Sequence, residues 1–319
     1  MLSSLAALPS TQIDAPVDWD DRDAERHLPR EVRATMTGPE GAPVIVALGG
    51  ISADADVVPG HGRSGWWDLF TPDRKLAGYC IVGIDFAADD SGRYAPSPAI
   101  QSRIIDAALR AFNVDAPFAI IGASYGGMVA LAWAERAERP GILLSIICAD
   151  DRPHGAATAV RSLQRRIVDL GMSHNCSGDA LAIARGLAMM GYRSPEEFRQ
   201  RFEGGISSSD PLASSQPGDY LASRGSAFLG RMSPGRFLSL SASIDRQRVD
   251  VSGIMNPALL IGIGQDQIVP PCQMQAMAER WGGCCRVETI DSIFGHDAFL
   301  KETDTLAPLI GEYLTGHSK

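Results

Sequence analysis

Short, almost wholly apolar runs separated by helix-patterned stretches constrain this chain more than any other feature. Residues 44–48, 80–84, 118–121, 142–149 and 258–263 are such runs, each flanked by glycine or aspartate, and 286–290 is a weaker sixth. An apolar run of this length without polar alternation suits a strand covered on both faces. Between the runs, 98–112 and 125–136 carry helical patterns. The alternation predicts βαβ units around a mostly parallel sheet, an α/β fold, with 31–37 expected as an antiparallel strand ahead of the parallel core.

The pattern breaks once. From 150 to 253 there is no convincing buried strand, and helical pieces occupy 156–170, 178–190, 195–202 and 219–231. This predicts a core made of 1–149 and 254–319 carrying an inserted helical cap, 150–253, over the sheet edge where ligands bind in open α/β folds. The 319 residues are 45% hydrophobic, enough for a sizeable core, and the formal charge of −9 argues against nucleic acid or anionic membrane as the main partner. No apolar stretch approaches the ~20 residues of a membrane span. The first ten residues lack the basic start of a secretory signal. Six cysteines without a C-x-x-C pair give no zinc or redox motif, and Cys80 and Cys148 read as buried thiols. A reducing cytoplasm is the expected compartment.

Gly122-Ala123-Ser124-Tyr125-Gly126, followed by Gly127, matches G-x-S-x-G between a predicted strand and a predicted helix. Flanking glycines let strand and helix approach closely, and Ser124 is left on a tight turn at a helix N-terminus that favours developing negative charge. A serine needs a base that an acid orients. Of six histidines, only His296 follows the last predicted core strand and precedes the C-terminal tail, and it is expected to begin the final helix. Asp266, just past the strand at 258–263, is the expected acid, with Asp291 the alternative on the wrong side of the last strand. The oxyanion hole is expected from the N–H groups of Tyr125 and Leu48, with Gly49 next after Leu48.

The segment Gly122-Ala-Ser-Tyr-Gly-Gly-Met-Val-Ala-Leu131 resembles the nucleophile region of the homoserine O-acyltransferases, MetX-type members of the alpha/beta-hydrolase superfamily. Gly295-His-Asp-Ala-Phe-Leu300 is similar, as is Tyr192-Arg-Ser-Pro-Glu-Glu-Phe-Arg-Gln-Arg-Phe202 in the cap. So are Asp219-Tyr-Leu-Ala-Ser-Arg-Gly225 and Arg152-Pro-His154, and the likeness runs from about 44 to 314. The resemblance implies an alpha/beta-hydrolase fold and a ping-pong reaction. An acyl group would pass from acyl-CoA to Ser124 and then to the hydroxyl of L-homoserine, in methionine biosynthesis. It implies Arg193 for the substrate carboxylate and Asp297 for its ammonium. It implies no metal and no bound cofactor, with acyl-CoA as co-substrate, and dimers are common in the family.

Several positions depart from the family pattern. Tyr125 stands where methionine is usual, the segment after the first core strand reads Leu48-Gly-Gly-Ile51, and Met232-Ser-Pro-Gly-Arg-Phe237 lacks the usual tyrosine. The pattern looks closer to a branch associated with succinyl transfer, in which Arg236 would meet the succinyl carboxylate, so succinyl-CoA is favoured over acetyl-CoA. Transfer to serine, and hydrolysis by an esterase or thioesterase, are the competing activities; a non-enzymatic binding protein on this fold would be expected to have lost a triad residue.

Overall fold

The computed structural model describes residues 8–60, 62–71 and 76–317; most of the N-terminal segment judged above and His61 lie outside them. Eight strands are β1 (Ser10–Pro16), β2 (Glu31–Thr37), β3 (Val44–Leu48), β4 (Cys80–Ile84), β5 (Ala119–Ala123), β6 (Leu143–Ile147), β7 (Ala258–Ile263) and β8 (Cys285–Ile290). They form one sheet in the order β1-β2-β4-β3-β5-β6-β7-β8. β2 pairs antiparallel with both β1 and β4, and every other pairing is parallel. The helices begin with α1 (Arg22–His27), α2 (Pro98–Gln101), α3 (Arg103–Ala111) and α4 (Tyr125–Ala137). Then come α5 (Gly155–Ser173), α6 (Ser177–Tyr192), α7 (Pro195–Arg201), α8 (Gln216–Phe228) and α9 (Pro234–Ile244). The last three are α10 (Pro271–Ala278), α11 (Ala298–Lys301) and α12 (Thr303–Gly316).

Strands β4 to β7 are buried at every position, which is why they read as apolar runs broken only by Ser145 of β6. Their side chains alternate between two cores. Val46, Ile120, Leu144 and Leu260 join one, with Ile104 and Ile105 of α3 and Val129 of α4. Ile45, Ile121, Ile147 and Leu259 join the other, with Phe299 of α11 and Leu306 and Ile310 of α12. The result is a sheet between two helical layers. β8 is an edge strand and only half-buried, hence its weaker signal. β1, also at an edge, has no apolar run and went unpredicted.

Three local expectations are corrected. The helix foreseen over 98–112 is two pieces that turn at Ser102, whose hydroxyl donates to Ala99 O at 2.7 Å. His296 does not begin the final helix: it sits in a 3-10 turn, Gly295–Asp297, ahead of α11 and α12. Gly295 enters that turn at φ 56°, where a Cβ would lie 2.8 Å from Tyr192 O. α9 was not foreseen. Ser233 caps it by accepting from Arg236 N at 3.2 Å and Pro234 fills its first turn, but Gly235 hides the helical pattern.

Helices α5 to α9 all fall between β6 and β7. α9 is tied to the helix that begins after Ser124, because the buried Tyr125 hydroxyl and Ser243 Oγ are 2.5 Å apart. No described helix is long and apolar enough to cross a membrane. Gly235 is where α9 presses on the loop after β4; a Cβ there would stand 1.8 Å from Asp90 O. Gly235→Ala is therefore expected to cost about 1–3 kcal/mol in urea denaturation, and an unchanged midpoint would show that α9 is free to shift.

Candidate active site

The backbone is closely packed around Ser124. This residue joins β5 to α4 at φ 54° and ψ −123°, a conformation that costs a non-glycine residue of order 1–3 kcal/mol. The sequence allows it by removing side chains nearby. A Cβ on Gly122 would lie 2.5 Å from Gly126 O, one on Gly126 2.4 Å from Leu48 C and O, and one on Gly127 2.5 Å from Ala149 Cβ. Two backbone bonds pin the turn, Ser124 N to Ile147 O at 2.9 Å and Gly126 N to Gly49 O at 2.7 Å. The hydroxyl is left standing at the carboxyl edge of the sheet.

Ser124, His296 and Asp266 come together there. Ser124 Oγ is 2.8 Å from His296 Nε2, and His296 Nδ1 is 2.7 Å from Asp266 Oδ2. The carboxylate accepts at Nδ1–H, so Nε2 is the free acceptor for the serine proton. Asp266 is held from behind, its Oδ1 accepting from Ile268 N at 2.7 Å and Val269 N at 3.0 Å. Asp291 lies instead against Gly264, where a Cβ would meet its Oδ1 at 2.4 Å. Burial pulls the imidazole pKa down, but the charge and hydrogen bond of Asp266 and the charge of Asp297 outweigh it, and the net shift is upward from 6.5. Cys148 is also close, its sulfur within 4.8 Å of ligand atoms of Asp266 and His296. That spacing suits a metal, yet burial and Asp266 push the thiol pKa well above its ordinary value, and the other two groups already bond each other.

Ser124 and His296 form part of the wall of two cavities. An inner chamber of about 50 Å³ is lined by Tyr125, Met128 and Cys148 of the core and by Arg161, Gln164 and Tyr192 of the inserted helices. An outer cavity of about 180 Å³ is lined by Gly50, Ile51, Trp66, Arg185, Arg231 and Asp297 among others. It shares Ile51, Ser52, Ala53, Trp66 and Arg231 with an open cleft of about 870 Å³.

The other sequence candidates fare differently. The Tyr125 N–H opens α4 beside Ser124 and makes no backbone bond among the described residues. Leu48 ends β3 with its carbonyl against Gly126, but it lines neither cavity, whereas Gly50 and Ile51 line the outer one. Asp297 lines the outer cavity and Arg193 does not. The Arg193 guanidinium is spent on Glu197 at 3.1 Å and on Asp297, whose Oδ2 lies 3.0 Å from Nε without a directed hydrogen bond. Arg236 is outside both cavities; it lines the open cleft and donates to Phe86 O at 2.7 Å. Sequence reading passed over Arg185. It lines the outer cavity with Asp297, stacks over Tyr192 and Phe228 at 5.2 and 4.7 Å, and has no carboxylate partner among the described residues. Its place two turns before Tyr192, on the same face of α6, was the available signal.

Comparison with known proteins sharpens this picture. The alpha/beta hydrolase fold family matches residues 43–303. Homoserine O-succinyltransferase of Xanthomonas campestris pv. campestris is 33% identical over 285 residues, 88% of this chain and 77% of the relative. The chain belongs to the homoserine O-acyltransferase family. Homoserine O-acetyltransferase of Mycolicibacterium paratuberculosis is 28% identical over 316 residues, covering 85% of this chain and 81% of that protein. The crystal structure of the esterase E22 L374D mutant superposes with a TM-score of 0.82 at 15% identity, covering 96% of this chain and 99% of that one. At that identity the likeness shows the fold alone.

In this acyltransferase-family site the imidazole must be neutral to accept a proton, so activity falls as pH drops through its raised pKa. With a small activated ester as reporter, the acid limb is expected above 6.5. Asp297→Asn removes a charge that raises the pKa, so the limb moves to lower pH. An unmoved limb, or an upward shift, would contradict the electrostatic account.

Proposed function

We propose that this chain transfers an acyl group from an acyl-CoA thioester to the hydroxyl of L-homoserine, and so serves methionine biosynthesis. The observation that carries the reading is the Ser124–His296–Asp266 relay opening on a cavity in which Arg185, like Arg231 without a carboxylate partner among the described residues, shares the wall with the carboxylate Asp297. That pair complements an amino acid's carboxylate and ammonium, the guanidinium by a two-pronged bond. Arg185 takes the role that the family resemblance assigned to Arg193, because Arg193 is turned to Glu197 and Asp297.

Ser124 Oγ attacks the thioester carbonyl while its proton passes to His296 Nε2. The N–H of Tyr125 receives the oxyanion together with one from the Leu48–Ile51 backbone beside it, of which Gly50 and Ile51 line the outer cavity. The C–S bond then breaks, and the thiolate of CoA leaves with the proton from His296. Homoserine enters, its hydroxyl gives a proton to the same nitrogen, and attack on the acyl-serine forms the new ester and restores Ser124. Asp266 stabilises the imidazolium in both halves. Water must be kept from the acyl-serine, and the inserted helices that wall both cavities supply that cover.

Thiol release separates transfer from hydrolysis. CoA release is expected to depend on homoserine and to exceed release with serine or with no acceptor; release independent of any amino acid would sink the proposal. Ser124→Ala is expected to abolish the acylated enzyme seen by intact-mass spectrometry. Arg185→Ala is expected to raise the KM for homoserine by about 10- to 100-fold, the worth of a lost charged hydrogen bond, with a smaller effect on kcat.

A further inference from the structure

We infer that Ile244, held against the nucleophile turn by the hydrogen bond between Ser243 and Tyr125, keeps water off the acyl-serine and so directs the acyl group to the amino acid hydroxyl. This rests on the acyl transfer proposed above and names the residues that set its outcome against hydrolysis.

Four residues line both the inner chamber and the outer cavity: Ser124, His296, Tyr192 and Ile244. The first two belong to the relay. The other two form the partition around it, and each is the last residue of an inserted helix, Tyr192 of α6 and Ile244 of α9. The Tyr192 ring stacks on the imidazole. The Ile244 side chain has no polar atom, so it binds neither water nor substrate by a hydrogen bond. Its effect beside Ser124 is to fill space and deny it to water.

A side chain that acts by filling space depends on its anchor. Ile244 lies between two links to α4. Just before it, the Ser243 Oγ and Tyr125 hydroxyl are 2.5 Å apart, and both residues are buried. Three residues after it, the buried Gln247 donates from Nε2 to Met128 O at 3.2 Å. Tyr125 and Met128 are one turn apart on α4, and both line the inner chamber. Asp245 ties the same segment outward to Arg161 and Arg165 of α5.

The hydroxyl pair is the stiffest of these links. Breaking it leaves a polar group buried without a partner, so displacing Ile244 is costly. The Tyr125 ring is steered to Ser243 by edge-on packing against Phe86, with centroids 4.8 Å apart. Methionine, usual at position 125 in the family, has no hydroxyl to offer Ser243. Ser243 and the Tyr125 hydroxyl are thus positioning groups, and Ile244 is the residue they position.

Two oxygens compete for the acyl-serine. Water or the homoserine hydroxyl gives its proton to His296 Nε2 and bonds to the acyl carbon. The bond from that carbon to Ser124 Oγ then breaks, and the proton returns to Ser124. Homoserine yields the ester, and water yields the free carboxylic acid. Water far outnumbers any dissolved amino acid, so the outcome turns on access.

The test measures total CoA release and O-acylhomoserine formation with homoserine present, acetyl-CoA and succinyl-CoA being run separately. The shortfall of ester against CoA is hydrolysis. Ser243→Ala is expected to raise the hydrolysis-to-transfer ratio by about 5- to 100-fold, and Ser243→Thr, which keeps the hydroxyl, to restore part of the loss. Tyr125→Phe should act in the same direction, and the double variant should exceed the larger single effect by little, because both remove one bond. Ile244→Ala should raise the ratio with the hydroxyl pair intact, whereas Ile244→Leu should keep it low. The ratio is internal to each variant, so misfolded protein cancels from it. An unchanged ratio in Ile244→Ala overturns the inference, as does a rise in Ile244→Ala with none in Ser243→Ala. Multiplying effects in the double variant overturn the shared bond. Each of these leaves acyl transfer standing. A wild type that releases CoA and forms no O-acylhomoserine overturns transfer and the inference together.

Discussion

The close approach of strand and helix at Ser124 is the constraint on which the rest of the structure depends. Three glycines give up their side chains so that β5 can turn directly into α4. The turn is then hydrogen-bonded to both flanking strands, to β6 through Ile147 O and to the end of β3 through Gly49 O. That pinning fixes three things at once. It lifts the serine above the sheet, it sets the α4 N-terminus beneath it, and it brings the Leu48–Gly50 backbone alongside. The strain is tolerable because the surrounding strands are buried at nearly every position and have no freedom to relax it.

The acid and base arrive from loops far along the chain, and the inserted helices hold those loops. Ser194, at the start of α7, donates its hydroxyl to Ile293 O, two residues before the turn that carries His296. Gln267, next to Asp266, donates to Arg193 O at 3.1 Å. His154 reaches Ile268 O, and the Tyr192 ring stacks on the His296 ring with centroids 5.7 Å apart. The helices that wall the cavities are thus tied to the relay itself. Movement of α6 and α7 would disturb the base as well as open the site, so access and reactivity are coupled in this fold.

The buried strands and the relay were legible in the sequence because both rest on local rules. An unbroken apolar run has one explanation in a sheet covered on two faces, and G-x-S-x-G between strand and helix has a steric reason. The order of serine, aspartate and histidine then narrowed six histidines to one. What stayed hidden was set by partners distant in sequence. β1 is an edge strand made by pairing with β2, not by its own pattern. The break at Ser102 and the cap of α9 depend on one hydroxyl each. Arginines were the hardest case. Arg193 and Arg185 are both on or beside α6, and the sequence shows two positive charges there; it does not show that one guanidinium turns to Glu197 and Asp297 while the other stacks on the rings of Tyr192 and Phe228.

The same point limits what net charge can say about this acidic protein. Most arginines of the inserted helices are neutralised where they stand. Arg152 lies by Asp151, Arg161 and Arg165 share Asp245, Arg166 meets Asp169, and Arg193 and Arg201 share Glu197. Count alone would make the cap a diffuse attractor for anions, whereas pairing cancels nearly all of that field at a distance. What survives on the cavity walls is local: the shortfall of carboxylate around Asp245 on the inner side of Ser124, and on the outer side Arg185 and Arg231, which have no carboxylate partner among the described residues. An esterase with the same fold has the same need for a strained serine, a base and an acid, so the core cannot distinguish hydrolysis from transfer. Discrimination between substrates has to reside in the few wall charges left uncompensated, because each faces a cavity where water is scarce and a missing counterion is felt in full.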